Sequence, residues 1–256
     1  MTSRNVIPIL VVIVVLASLG AFVTWRLKGE HAARPAFHVA ILHDRSESVR
    51  AGCESVVGLA QQALAEHGSG DITLTVLTTG DAASANEPVE IGHYSLSPSH
   101  RALEGRGTLV RKREELLQGL TARCTRVAPT QVSPIYLGLR RALEQLHAIG
   151  CEAPNECRLL AATDSKETVE PAIVAALRGE VAKDPASLLQ NRDIPVLLCG
   201  LAETTAREDE PPSKKNMKKP APVVDMTAVW RSVFSEPEFV RFEPYCFKGR
   251  VEEGAR

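Results

Sequence analysis

The chain has 256 residues, with 30 Lys and Arg against 31 Asp and Glu, for a formal net charge of −1. That balance, with no long basic stripe, excludes a nucleic-acid binder that works by neutralising phosphates. Apolar residues make up 44% and aromatics only 4%, so a core is available but aliphatic side chains and alanine must fill it.

Residues 1–5 form a short tail, and residues 6–25 carry no charged side chain. At about 1.5 Å per residue, a helix of that length crosses a hydrocarbon core of about 30 Å. Trp25 falls where an interfacial anchor belongs, and Arg26 and Lys28 follow it. The same stretch also fits a secretory signal peptide, since Ala17 to Ala21 supplies small residues for cleavage. It is longer than the usual apolar run of a signal peptide, about 7–15 residues, which favours an uncleaved single-pass anchor. A linker, 26–35, leads to one domain over 36–256. Arg4 precedes the anchor while Arg26, Lys28 and Arg34 follow it. The positive-inside rule alone keeps the domain in the cytoplasm, but large domains cross with little regard to such differences. The six cysteines point instead to the extracytoplasmic, periplasmic side.

Within the domain, the apolar period alternates between strand and helix. Phe37 to His43 reads as a first strand, and Val49 to Glu66 as a helix. Asp71 to Thr79 alternates as a second strand. Gly80 to Gly107 is rich in turn residues, with one strand at Val89 to Leu96. Leu109 to Cys124 and Pro134 to Ile149 are helices, the latter with Ile135, Leu139, Ala142, Leu143, Leu146 and Ile149 inward. Arg158 to Thr163 is a buried strand, Val169 to Leu177 a helix and Ile194 to Leu201 a nearly all-apolar strand. Residues 203–222 mix charges, prolines and lysines without periodicity and read as an exposed insertion. Asp225 to Ser235 is a last helix, and Phe239 to Phe247 adds an edge strand. Continuous apolar strands between amphipathic helices imply an α/β fold with a doubly wound, mainly parallel central sheet flanked by helices. In such sheets ligands sit beyond the carboxyl ends of the strands.

Cys151 and Cys157 bracket a short polar loop and form either a local disulfide or two free thiols. Cys53 and Cys199 fall on apolar faces and read as core residues. No His or Cys pair has zinc spacing.

Three polar clusters follow strands or enter helices: Asp44-Arg45-Ser46-Glu47-Ser48, Ser133-Pro134 and Thr163-Asp164-Ser165. Two strand ends and a helix start can converge on one crevice holding two carboxylates and several hydroxyls. Hard cations such as magnesium prefer oxygen ligands of this kind and keep waters that a partner can displace. Each cluster also has a plainer reading. Ser48 suits a helix cap, Ser133-Pro134 an ordinary helix start, and Asp44 and Asp164 polar strand ends.

The ordered set, Asp-x-Ser-x-Ser at Asp44, Ser46 and Ser48, then Ser133, then Asp164, resembles the metal-ion-dependent adhesion motif of the von Willebrand factor type A (VWA) family. The resemblance covers residues 36–202 and the helix at 225–235. It implies that Asp44, Ser46, Ser48, Ser133 and Asp164 ligate a divalent metal, magnesium first and manganese or calcium as alternatives. It further implies a protein partner that completes the shell with an acidic side chain. Thr130 rivals Ser133 in the second loop. Glu47 and Ser165 stand where the family often has Gly, and Glu47 and Glu167 add charge nearby. The expected function is a membrane-anchored binding module, not an enzyme. The alternatives are a metal-independent scaffold in envelope complex assembly or a metal-dependent phosphohydrolase. A haloacid-dehalogenase-type phosphatase needs an Asp two residues after Asp44, where Ser46 stands. Nucleophile-elbow and phosphate-loop motifs are missing.

Overall fold

The run Phe37 to Leu42 contains only one polar residue, His38, and has to be covered on both sides. It forms β1, Ala36–His43, at the centre of a six-stranded sheet of order β3-β2-β1-β4-β5-β6. The other strands are β2 (Asp71–Thr78), β3 (Val89–Leu96), β4 (Glu156–Ala162), β5 (Val196–Cys199) and β6 (Val240–Glu243). All neighbours pair in parallel except β2 and β3, so the antiparallel strand lies at one edge. The helices are α1 (Cys53–Glu66), α2 (Arg106–Cys124), α3 (Ile135–Ile149), α4 (Pro171–Leu177) and α5 (Met226–Ser232). The structure, a computed structural model, describes residues 36–46, 52–67, 71–80, 86–97, 106–151, 155–181, 186–200 and 224–246. The expected anchor at 6–25, the linker at 26–35 and the insertion at 203–222 lie outside the described residues. Among the described residues no helix is long and apolar enough to cross a membrane.

Successive side chains of β1 point to opposite faces and divide the core in two. Ala40 and Leu42 pack with α3, with Ile173 of α4 and with Trp230 of α5. Phe37, Val39 and Ile41 pack with Val56, Leu59 and Ala63 of α1 and with Leu116 and Leu120 of α2. Helices therefore cover both faces of a mostly parallel sheet. Burying each Leu or Ile side chain contributes about 1.5–3 kcal/mol. Gly138 sets the closest approach of α3: a Cβ there would stand 2.7 Å from Leu42 Cδ1.

Several boundaries and faces differ from expectation. The α2 helix starts at Arg106, earlier than the apolar period indicates. The α4 helix starts at Pro171 because the amides of 168–170 are already bonded to the Glu167 carboxylate. Ile149 is 40% exposed, since the helix ends there and Gly150 turns the chain away at φ 92°. Cys199 is buried in the core as expected, Cys53 is half-buried, and both are joined in disulfides. Three disulfides, Cys53–Cys124, Cys151–Cys157 and Cys199–Cys246, leave no free cysteine.

Leu198 is fully buried on β5. Leu198→Asp should abolish the cooperative thermal transition, because an unpaired charge there costs several kcal/mol, on the order of the whole stability margin. Circular dichroism melts of the two chains check this.

Candidate functional site

The chain leaves β1 for β2 on one side, while β4 flanks β1 on the other. The carboxyl ends of β1 and β4 thus diverge at the point where the strand order reverses, where a doubly wound sheet opens a crevice. Asp44 follows β1 directly and is 1% exposed. A buried carboxylate needs donors, and Asp44 collects four. Oδ1 accepts the Ser46 amide at 3.1 Å and the Thr79 hydroxyl at 3.3 Å. Oδ2 accepts the Ser133 hydroxyl at 2.7 Å and the Thr163 hydroxyl at 2.8 Å.

Each donor is placed by the fold. Thr79 follows β2 and its amide bonds the His43 carbonyl. Thr163 follows β4, with its amide on the Cys199 carbonyl. Ser133 lies in the loop entering α3 and is anchored by Thr168, whose hydroxyl accepts its amide at 2.6 Å. The Ser133 side chain does not cap α3. Glu167 serves there, its Oε2 accepting the Tyr136 amide at 2.6 Å. The other oxygen of Glu167 accepts three amides, from Thr168, Val169 and Glu170, so this carboxylate is committed to backbone and not to the crevice. Thr130, the rival of Ser133, turns its hydroxyl to the Val132 carbonyl. Its backbone pairs instead with Ser46 and Arg45, drawing the first and second loops together.

Asp164 is also 1% exposed. Oδ1 accepts the Lys166 amide. Oδ2 is buried with no hydrogen-bond partner, as is Ser165 Oγ, and the Lys166 ammonium stands 4.0 Å from Oδ2. The structure thus brings the Ser133 hydroxyl and the Ser46 amide onto Asp44 and sets Asp164 near enough for its charge to act on that carboxyl, all four residues being buried; Ser48 lies outside the described residues. Thr79 and Thr163 are the donors that sequence reasoning passed over. Thr163 stood within a noted cluster, whereas Thr79 becomes visible only once β2 is known to neighbour β1. Among the described residues no three His, Cys, Asp or Glu side chains gather as a metal-ligand group. A cation here would rest on two carboxylates and on hydroxyls.

Burial pushes the Asp44 carboxyl above the ordinary carboxylate range. The hydroxyls of Ser133 and Thr163 oppose that rise, and the negative charge of Asp164 adds to it. Burial likewise raises the Glu167 carboxyl despite its four amides.

The site is bounded by a covalent link. Cys53 opens α1, just after the first loop, and Cys124 closes α2, just before the second. The Cys53–Cys124 disulfide closes 71 residues, and the Cys124 sulfur lies 3.6 Å from Nδ1 of His43, the residue before Asp44.

No family model matches the chain. Nor does any curated protein. Among solved structures 70 chains match. One is the pilus adhesin SpaC from Lactobacillus rhamnosus GG, at 11% identity and TM-score 0.42 over 84% of this chain and 29% of the adhesin. The open conformation of the same adhesin matches at 11% identity and TM-score 0.40, over 83% of this chain and 28% of the adhesin. The third is an aerotolerance-related membrane protein from Bacteroides fragilis NCTC 9343, at 13% identity and TM-score 0.38 over 83% of this chain and 92% of that one. The chain thus spans less than a third of the adhesin's length.

Two expectations arise from this geometry. A carboxyl with a higher pKa folded than unfolded binds its proton more tightly in the folded chain. For Asp44 and Glu167, metal-free stability should therefore fall as pH rises from about 4 through the raised folded values. Asp44→Asn should lose part of that slope in calorimetric melts between pH 4 and 7, and an unchanged slope would assign it to other groups. Cys53→Ser with Cys124→Ser should cost up to about 4 kcal/mol for so long a loop. The Ser46 and Thr130 amides should exchange with solvent at least tenfold faster, while Cys199→Ser with Cys246→Ser leaves those two amides unchanged.

Proposed function

We propose that this chain is a VWA-type binding module that holds a divalent cation, magnesium first, at the Asp44 crevice and grips a protein partner through it. One observation supports the reading: Oδ2 of Asp164 is buried with no hydrogen-bond donor, its nearest cation the Lys166 ammonium at 4.0 Å, while Asp44 is a second buried carboxylate. An orphaned carboxylate oxygen is costly away from water, and a hard cation offsets that cost while taking oxygen ligands only. Asp44, Ser46, Ser48, Ser133 and Asp164 are the assigned ligands. Two protein charges leave a divalent ion able to attract an acidic side chain of the partner. The module is read as a non-enzymatic one.

The three disulfides support placement on the oxidising, extracytoplasmic side of a membrane, with residues 6–25 as the anchor. A metal-independent scaffold is the second reading. It draws on the four donors that already satisfy Asp44 and on the Lys166 ammonium near Asp164.

Calorimetric titration of magnesium and manganese into the full-length chain and its Asp44→Ala variant separates the two. The cation reading expects saturable binding by the parent only, with a rise in melting temperature that scales with free metal. Equal binding by both would remove Asp44 from the ligand set. Binding by neither would leave the scaffold.

A further inference from the structure

The third loop contains a conformation that its own sequence does not favour. Ser165 has φ 62°, the left-handed region that a side chain with a Cβ seldom occupies without outside support. That bend directly follows Asp164, whose Oδ2 is buried without a hydrogen-bond donor. Two hydrogen bonds hold it. The Ser165 amide donates to Thr163 Oγ1 at 2.9 Å. The Ser165 carbonyl accepts the indole N–H of Trp230 at 2.8 Å.

Trp230 is fully buried and belongs to α5, 65 residues away in sequence. Its ring packs in the core cluster shared with Leu139, Ile173 and Leu198, so the indole nitrogen has a fixed position. A buried indole N–H takes an acceptor in any setting, so what matters is which acceptor it finds. Here the partner is the carbonyl of the strained residue.

We infer that Trp230 is the positioning residue of the Asp164 loop. Its indole holds Ser165 in the left-handed bend, and the setting of α5 thereby governs how Asp164 faces the crevice. A glycine at 165 would adopt the bend without support; this chain carries serine and supplies the support from α5.

The metal readout of this inference rests on the cation reading above, and the loop readout does not. Trp230→Phe keeps an aromatic ring and removes the N–H. In the full-length chain it should weaken manganese binding by about 10- to 100-fold, as loss of an outer support for a ligand does. The Ser165 and Lys166 amides should also exchange about tenfold faster. Ser165→Gly alone should leave both readouts within about threefold of the parent, because glycine populates the bend freely. The double variant Trp230→Phe with Ser165→Gly should recover most of both losses, a rescue that a pure packing role for Trp230 cannot give. If the parent binds no manganese, the cation reading fails and the exchange rates alone decide. Unchanged exchange in Trp230→Phe, or no recovery in the double variant, overturns the inference. Should Trp230→Phe fail to fold, folding of the double variant would uphold it and failure of both would overturn it.

Discussion

A carboxylate taken out of water must find donors, and much of the upper face of this domain is arranged around that requirement at Asp44. Its four donors come from four places in the chain: the first loop itself, the end of β2, the loop before α3 and the end of β4. Satisfying one side chain thus fixes the relative position of three parallel strand ends and one helix start. Asp164 is treated differently. It is as deeply buried, yet one oxygen is left without a hydrogen bond. Two neighbouring acids in one crevice, one saturated and one not, form a lopsided arrangement. The first serves as the keystone of the loops, and the second faces only the Lys166 ammonium at 4.0 Å.

The close fit below the crevice makes this possible. At Gly138 a Cβ would crowd Leu42, so α3 lies tight against β1 and brings Ser133 within reach of Asp44. At Gly200, φ 105°, a Cβ would stand 2.8 Å from the Thr163 carbonyl, so β5 packs its end directly under the third loop. Glu167 then ties that loop to the first turn of α3. Backbone contacts, more than side-chain charges, hold the loops in register.

The alternating apolar periods were legible from the residues alone, and with them the order of strands and helices, the two-sided burial and the polar clusters at strand ends. What stayed hidden depends on adjacency that no local window contains. Thr79 looks like any strand-end threonine until β2 is placed beside β1. Trp230 looks like a core residue until its nitrogen is found on Ser165. Cys53 looks apolar because its neighbours are, yet its partner Cys124 is 71 residues away, and six cysteines allow 15 pairings. Ser133 satisfied two readings at once, and only the bond from Glu167 to the Tyr136 amide shows that α3 does not need it as a cap.

The separation between Asp44 and Thr163 has a consequence in time. These partners are 119 residues apart, and β1 is the central strand. At synthesis rates of about 5–20 residues per second, β1 waits roughly 6–24 s for β4 to emerge. Throughout that interval the central strand of the sheet has only β2 beside it, and the keystone carboxylate lacks a donor from its far side. A chain delivered across a membrane as it is made would pass through this half-built sheet, so the crevice is among the last features to close. Its assembly reports that both halves of the sheet have come together.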